Sequence, residues 1–395
     1  MHQVHARTID VVAALARDVL ERYATADGVS RGIYGHDSGP IVLTNVAHSV
    51  GAVTADLRRR VIRRWFLELP SAIQSLGSFG GMGGFIAAVH ALIAIDNEFA
   101  PVFDSLIEKT RSLLAAAHWR TSAVAWVDYD LFRGPAGLVL AGASNSGPTE
   151  PFVPAVRHLA HLCDAPSLER MRAGTEISEP SAFNIGRINT GMGHGVAGVA
   201  SALRHAVETL DDGNDYRQAL RFACDWLVEE AYLADRDFIT WPPVGRDGAK
   251  APRVSDRRQA WCYGTPGVAW TLWDAGRVLE NPSLQVLGEE AMRSFCNVFD
   301  QDFHYPIYDA SEALAICHGA AGTLAVADAF ARYAALPEAG ELRDRLHQYL
   351  LDRIDAVDDI ARTNMTTLGG AGGILSVMLS VHGGSREWLR QIALR

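Results

Sequence analysis

The chain has 395 residues, 48% of them hydrophobic and 21% charged, which is ample material for a large core and excludes a disordered chain. Asp and Glu number 46 against 36 Lys and Arg, a net charge of −10 that argues against a general nucleic-acid binder. Lysine occurs only at Lys109 and Lys250, an Arg bias read as base composition of the genome and not as function.

The opening segment sets Arg7, Asp10, Arg17 and Asp18 inside an apolar periodicity, the pattern of an amphipathic helix and not of a signal peptide. Residues 80–95 form the most apolar stretch, but it is short, Gly-rich and carries His90, so no transmembrane segment is expected. The cytoplasm is the expected compartment. The count of five Cys is odd and no export signal is visible, so no disulfide framework is expected. Cys224 and Cys296 sit at apolar helical positions and read as small buried hydrophobes, and Cys163 at a helix end reads as equally unreactive.

One motif then recurs along the chain: Gly-x-x-Gly followed by an apolar helical run. It begins at Gly81, Gly134, Gly195, Gly264, Gly319 and Gly370, with second glycines at Gly84, Gly137, Gly198, Gly267, Gly322 and Gly373. The spacing of about 50–70 residues holds two helices and two loops. A degenerate copy over residues 32–39 makes seven units. After Gly195, the residues Val196, Val199, Ala200, Leu203 and Val207 fall on one helical face; after Gly264, Val268, Leu272, Ala275 and Leu279 do the same. Amphipathic segments lie between these helices and strand signals are scarce. The expected fold is all-α, one domain over 1–395 built of helical hairpins, in which the small glycines let crowded helix starts converge. Two irregular segments, 148–190 and 235–256, interrupt the rhythm and are expected as loops or inserts. In the second, Trp241, Pro242 and Pro243 either contact an extended peptide or anchor a surface excursion.

Three of the repeats carry reactive side chains just before the glycine pair: His194 in GMGHGVAG, Cys262 in WCYGTPG, and Cys317 with His318 in ICHGAAG. Equivalent positions in successive repeats point toward one place. Two thiolates and an imidazole make a zinc donor set, and three protein ligands leave a fourth position open for substrate. A Cys-His dipeptide by itself recurs by chance; the repeat context is what gives it weight.

The set GHG, WCYG and CHG, each at a repeat glycine, resembles the LanC family of lanthipeptide cyclases from about Gly81 to Ser380. The resemblance implies an α,α-toroid of seven inner and seven outer helices, with a small irregular or β-containing extension in some members. It implies Zn²⁺ held by Cys262, Cys317 and His318. It implies Michael-type addition of Cys thiols to dehydroalanine or dehydrobutyrine in a dehydrated precursor peptide, forming the thioether rings of lantibiotic biosynthesis. His194 matches the family's acid/base histidine, Asp130 of VDYDLFRGPAG its Asp motif in preference to Asp128, and Arg258 and Tyr263 further active-site positions. Further implied are a separate dehydratase, a transporter in a shared modification complex, and a place at the periphery of a membrane-associated assembly. LanC-like relatives share the zinc motifs without making lanthipeptides, so a transferase adding glutathione or another small thiol to dehydroamino-acid residues is the alternative. A toroid with structural zinc and no catalysis is a third reading.

The chemistry is coherent. A free Cys thiol has a pKa near 8.5, and coordination to Zn²⁺ deprotonates it at neutral pH. Attack on the β-carbon leaves an enolate that needs a proton, which suits a His poised near neutrality. Asp130 can orient that His or take the thiol proton, and Arg258 can steady the enolate oxygen.

Overall fold

In the computed structural model every Gly-x-x-Gly pair sits at the entrance to a helix. The structure describes residues 2–25, 37–69, 73, 75–93, 95–142, 150–174, 185–246, 257–305 and 310–395. The helices are α1 (His2–Thr25), α2 (Gly39–Ser49), α3 (Ala55–Glu68), α4 (Met82–Ile93), α5 (Ala100–Ala116), α6 (Pro135–Gly142), α7 (Val153–Leu162), α8 (Val196–Thr209), α9 (Arg217–Glu230), α10 (Thr265–Leu279), α11 (Pro282–Val298), α12 (Gln301–His304), α13 (Ala310–Leu314), α14 (Ala320–Tyr333), α15 (Pro337–Leu351), α16 (Ile354–Ala361) and α17 (Ala371–Val381).

Seven of them close a ring. α2 packs on α4, α4 on α6, α6 on α8, α8 on α10, α10 on α14, α14 on α17, and α17 returns to α2. A second layer lies outside it, with α1 and α3 on α2, α5 on α4, α7 on α6, α9 on α8, α11 on α10 and α15 on α14. The architecture is all-α, as expected from the repeat, and it is the helical toroid that the family resemblance implies. The two layers obey different sequence rules. Outer α9 buries Ala219, Leu220, Ala223, Cys224, Trp226 and Leu227 along one stripe, as a surface helix does. Inner α17 is buried at every residue, because it has helices on both flanks and outside.

The second glycine of each pair explains the tightness at one end. A Cβ built there would lie 1.7–2.2 Å from the carbonyl oxygen of the residue six earlier: 2.2 Å from Ser78 at Gly84, 2.0 Å from Leu131 at Gly137, 2.2 Å from Met192 at Gly198, 2.1 Å from Trp261 at Gly267, 1.9 Å from Ile316 at Gly322 and 1.7 Å from Thr367 at Gly373. Each loop therefore folds back onto the start of its own helix in the same register. The loops then join one another by backbone hydrogen bonds: Ser78 N to Leu131 O (3.0 Å), Leu131 N to Gly193 O (3.1 Å), Met192 N to Cys262 O (2.9 Å), Cys262 N to Cys317 O (3.4 Å) and Cys317 N to Leu368 O (3.1 Å). The belt is carried on by a side chain, since Thr367 N donates to Asp37 Oδ2 at 2.8 Å. Asp37 and Gly39 thus supply the seventh unit, while residues 32–36 of the degenerate copy lie outside the described residues.

The middle of the ring is filled by the segment that follows α17. Trp388, Leu389, Gln391, Ile392, Ala393 and Leu394 are buried, and the segment touches six inner helices. It reaches α4 and α6 by packing, α2 through Ser385 N to Ser49 Oγ (2.8 Å), and α14 through the Arg386–Asp328 ion pair. Arg395 meets Asp274 of α10 at 2.8 Å and Glu208 of α8 at 2.7 Å. This plug was not foreseen.

The irregular segments narrow. Within 148–190, residues Val153–Leu162 form outer helix α7, with Ala155, Val156, Leu159 and Leu162 facing inward. Pro151 and Pro154 look like breakers, yet Pro154 sits in the first turn, where its missing N–H costs nothing. Residues 175–184 and 247–256 lie outside the described residues. The β-containing feature is small: β1 (Tyr232–Leu233) pairs antiparallel with β2 (Ile239–Thr240). Trp241 is an anchor, 2% exposed, with its indole N–H on Leu227 O at 2.7 Å. Among the described residues no helix is long and apolar enough to cross a membrane.

Candidate metal centre

The belt sets the register of the reactive side chains. Counting back from the second glycine, Cys262 and Cys317 both stand five residues before it, and His194, Tyr263 and His318 four before it. Adjacent loops are hydrogen-bonded to each other at Cys262 and Cys317, so two equivalent positions become neighbours. The Cys262 and Cys317 sulfurs and a His318 ring nitrogen lie within 4.8 Å of one another, with Cys317 Sγ 3.5 Å from His318 Nε2. Cys262 is buried, and Cys317 and His318 are half-buried.

The donor chemistry fits a metal ion. The Cys317 thiol is held well above its ordinary pKa, first by its hydrogen bond with Cys262, then by burial; two sulfurs in such contact are a place where a divalent cation can take over from the hydrogen bond. The other thiols contrast with them: burial pushes Cys163 and Cys296 each up to about 12, and neither stands near a second donor cluster among the described residues. Arg258, exposed at the rim, donates from its guanidinium to His318 Nε2 at 3.0 Å. A guanidinium has no acceptor, so this nitrogen offers its lone pair outward, to Arg258 or to a cation.

On the same rim stands a second cluster. His194 Nδ1 lies 2.6 Å from Asp130 Oδ2. Asp130 is 1% exposed, and its other oxygen accepts the backbone N–H groups of Arg133 (2.7 Å) and Gly134 (2.8 Å) at the entrance to α6. The imidazole is clamped flat between Trp126, with centroids 3.9 Å apart and planes at 13°, and Phe132, at 4.3 Å and 28°. The Tyr129 hydroxyl donates to the His194 carbonyl at 2.9 Å. A carboxyl oxygen accepting from Nδ1–H fixes the tautomer and leaves Nε2 as the working nitrogen. Asp128 plays no such part: it takes the Arg120 guanidinium (2.9 Å) and Ala125 N (2.7 Å).

Tyr263 accepts from Asn189 Nδ2 at 2.9 Å, and burial holds its phenol above the ordinary value. All seven residues singled out in the sequence therefore sit on one rim, as two groups: Cys262, Cys317, His318 and Arg258, and His194 with Asp130. Tyr263 lies between them in the register. Sequence reasoning missed Trp126, Phe132 and Asn189. Phe132 had a signal, since it stands five residues before Gly137, the slot that Cys262 and Cys317 fill in their own repeats. A cavity of about 150 Å³ between α2, α4 and α6, lined by Asn45, Ala88 and Trp388, contains none of these residues.

Comparison with known proteins agrees with the fold. Residues 46–390 match the family model described as lanthionine synthetase C-like protein. Over 168 residues the chain is 24% identical to nisin biosynthesis protein NisC of Lactococcus lactis subsp. lactis, covering 39% of this chain and 36% of that protein, so the alignment spans about a third of that relative's length. The fold superposes on nisin cyclase with a TM-score of 0.76 at 18% identity, over 100% of this chain and 98% of the other.

Proposed function

The chain belongs to the lanthionine synthetase C-like family, and on that footing we propose that it is a zinc-dependent lanthipeptide cyclase acting on a dehydrated precursor peptide made by a separate dehydratase. The observation that carries this reading is the pairing, on one rim, of a two-thiolate, one-imidazole donor set with an aromatic-clamped His–Asp pair. Cys262, Cys317 and His318 would hold the zinc. When bound, it supplies a substrate Cys thiol in deprotonated form at neutral pH.

The remaining work falls to the chain's own residues. The peptide sulfur forms a bond to the β-carbon of dehydroalanine or dehydrobutyrine, the carbon–carbon double bond opens, and the electron pair is left as an enolate. His194 Nε2–H protonates the α-carbon, and Asp130 stabilises the ring in its cationic form. The proton lost by the substrate thiol replaces the one given up by His194 Nε2, so product and substrate have equal mass. Arg258, exposed beside His318, faces the developing oxyanion. Tyr263, bonded to Asn189, positions substrate on the rim. The plug closes the ring's interior, so substrate approaches from the open, loop-lined end.

The test is incubation of zinc-loaded protein with a dehydrated peptide, followed by thiol alkylation and mass spectrometry. Loss of alkylatable thiol at unchanged mass is expected. A mass gain equal to one small thiol, when glutathione is supplied, makes it a transferase instead. Retention of every thiol overturns both.

A further inference from the structure

Beneath the loops of the candidate metal centre, the plug meets the rim at Trp261. Trp261, 0% exposed, donates its indole N–H to Ile392 O at 2.8 Å. Its backbone leads directly into Cys262. Its Cβ lies over Gly322, the glycine of the repeat that carries Cys317 and His318. Its ring lies 6.4 Å from Phe132, the same Phe that stacks on His194. The segment beneath is fixed: Arg395 is paired with Asp274 and Glu208, Ser38 Oγ donates to Gln391 Oε1 at 2.8 Å, and Trp270 donates its indole N–H to Ala393 O at 3.1 Å.

We propose that Trp261 is a positioning residue, through which the plug sets the placement of the Cys262 loop and of the Phe132 face behind His194. This rests on the reading of the rim as a zinc cyclase. The indole–carbonyl bond fixes the rotation of Trp261, and a loop so fixed presents Cys262 Sγ toward Cys317 and His318 with little freedom left to lose when metal binds. The same ring backs Phe132, so one contact serves both the metal-binding and the proton-handling group.

Trp270 supplies a matched control. It too is fully buried and makes the same kind of bond to the next carbonyl of the same segment, but it lies within α10, away from the rim loops. Trp261→Phe and Trp270→Phe each lose one indole–carbonyl bond. If both bonds only hold the fold together, both variants melt lower and nothing else separates them. Competition with a chromogenic chelator for Zn²⁺ is the deciding measurement. Trp261→Phe is expected to bind zinc about tenfold more weakly and, at saturating zinc, to lose kcat with KM little changed. Trp270→Phe is expected to keep the parent affinity. Arg395→Gln, which loosens the plug at its exposed end, is expected to weaken zinc about threefold, and it decides the matter should Trp261→Phe fail to fold. Equal zinc affinities in the parent and these variants overturn the positioning role alone. A parent that binds no zinc overturns the proposed function, and this role with it.

Discussion

The Asp130 carboxylate divides its two oxygens between His194 and the helix beside it: Oδ2 lies 2.6 Å from the ring nitrogen, while Oδ1 caps the backbone at Arg133 and Gly134. One residue is thus both a cap of the helix start and the partner of the histidine. The cap also holds the carboxylate rigid, so the histidine is oriented by a group that cannot turn away.

Asp130→Asn separates the two roles. Its remaining oxygen keeps the cap, while its NH₂ must donate to Nδ1, which moves the ring proton to Nε2 and opposes the imidazolium. Cyclisation is expected to fall by about a hundredfold or more, the range of general acid–base catalysis, with the melting temperature nearly unchanged. Asp130→Ala loses the cap as well and melts lower by about 1 kcal/mol of stability. A fully active Asn variant would remove the pair from the mechanism.

The two halves of the rim are expected to fail independently. Cys262→Ala leaves two donors and loses zinc under mild chelation. His194→Gln keeps one zinc per chain but turns over about 10²–10⁴-fold more slowly. Metal analysis alongside single-turnover ring formation distinguishes them; loss of zinc in the His194 variant would place that residue among the ligands instead.

The glycine register makes a paired stability prediction. At Gly322 a methyl group meets the Ile316 carbonyl at 1.9 Å, whereas at Gly340 in α15 the nearest atom is 3.9 Å away. Gly322→Ala is expected to destabilise by about 1–3 kcal/mol or more through overpacking, and to weaken zinc by displacing Cys317. Gly340→Ala is expected to stabilise by about 0.5–1 kcal/mol, since a helix interior favours Ala. Melting curves of both variants check the contrast.

Stability should carry a mark of Asp37. Burial pushes its carboxyl from 3.8 up to about 6, against the opposing pull of the backbone N–H groups of Gly39 and Thr367. A raised acid pKa means that the folded chain keeps this proton to higher pH than the unfolded chain. The contribution is therefore full below about pH 4 and is lost as pH rises through about 6. Asp37→Asn removes that slope, so its melting temperature relative to the parent should improve steadily from pH 4 to 7. A constant offset across that window would show that the carboxyl titrates alike in both states.

Much of this is legible in the sequence. Gly-x-x-Gly is an unusual local signal because the steric reason for it, a carbonyl pressed on the helix start, repeats in every unit. Once the register is known, Cys262, Cys317 and His318 converge by counting. What stayed hidden lacks that periodicity. Trp126 reaches His194 from outside the register, and nothing in its neighbours announces the stack. Helix α7 was masked by prolines that sit where a helix tolerates them. The residues after α17 look like one more amphipathic turn, and only ring closure reveals that they fill a hole.

The bond between Asp37 and Thr367 spans 330 positions of sequence. An open stack of repeats can nucleate anywhere and frays from its two terminal units. A closed one has no terminal unit, and its last seam forms only after the first and seventh repeats have both been made. The belt that aligns Cys262 with Cys317 runs through that seam. Closing the ring therefore needs a contact of very high sequence separation, and folding is expected to be slower than for a helical protein of local contacts. A ring caught on the ribosome before Thr367 emerges presents two raw helical faces, a surface for chaperones rather than a partly working enzyme.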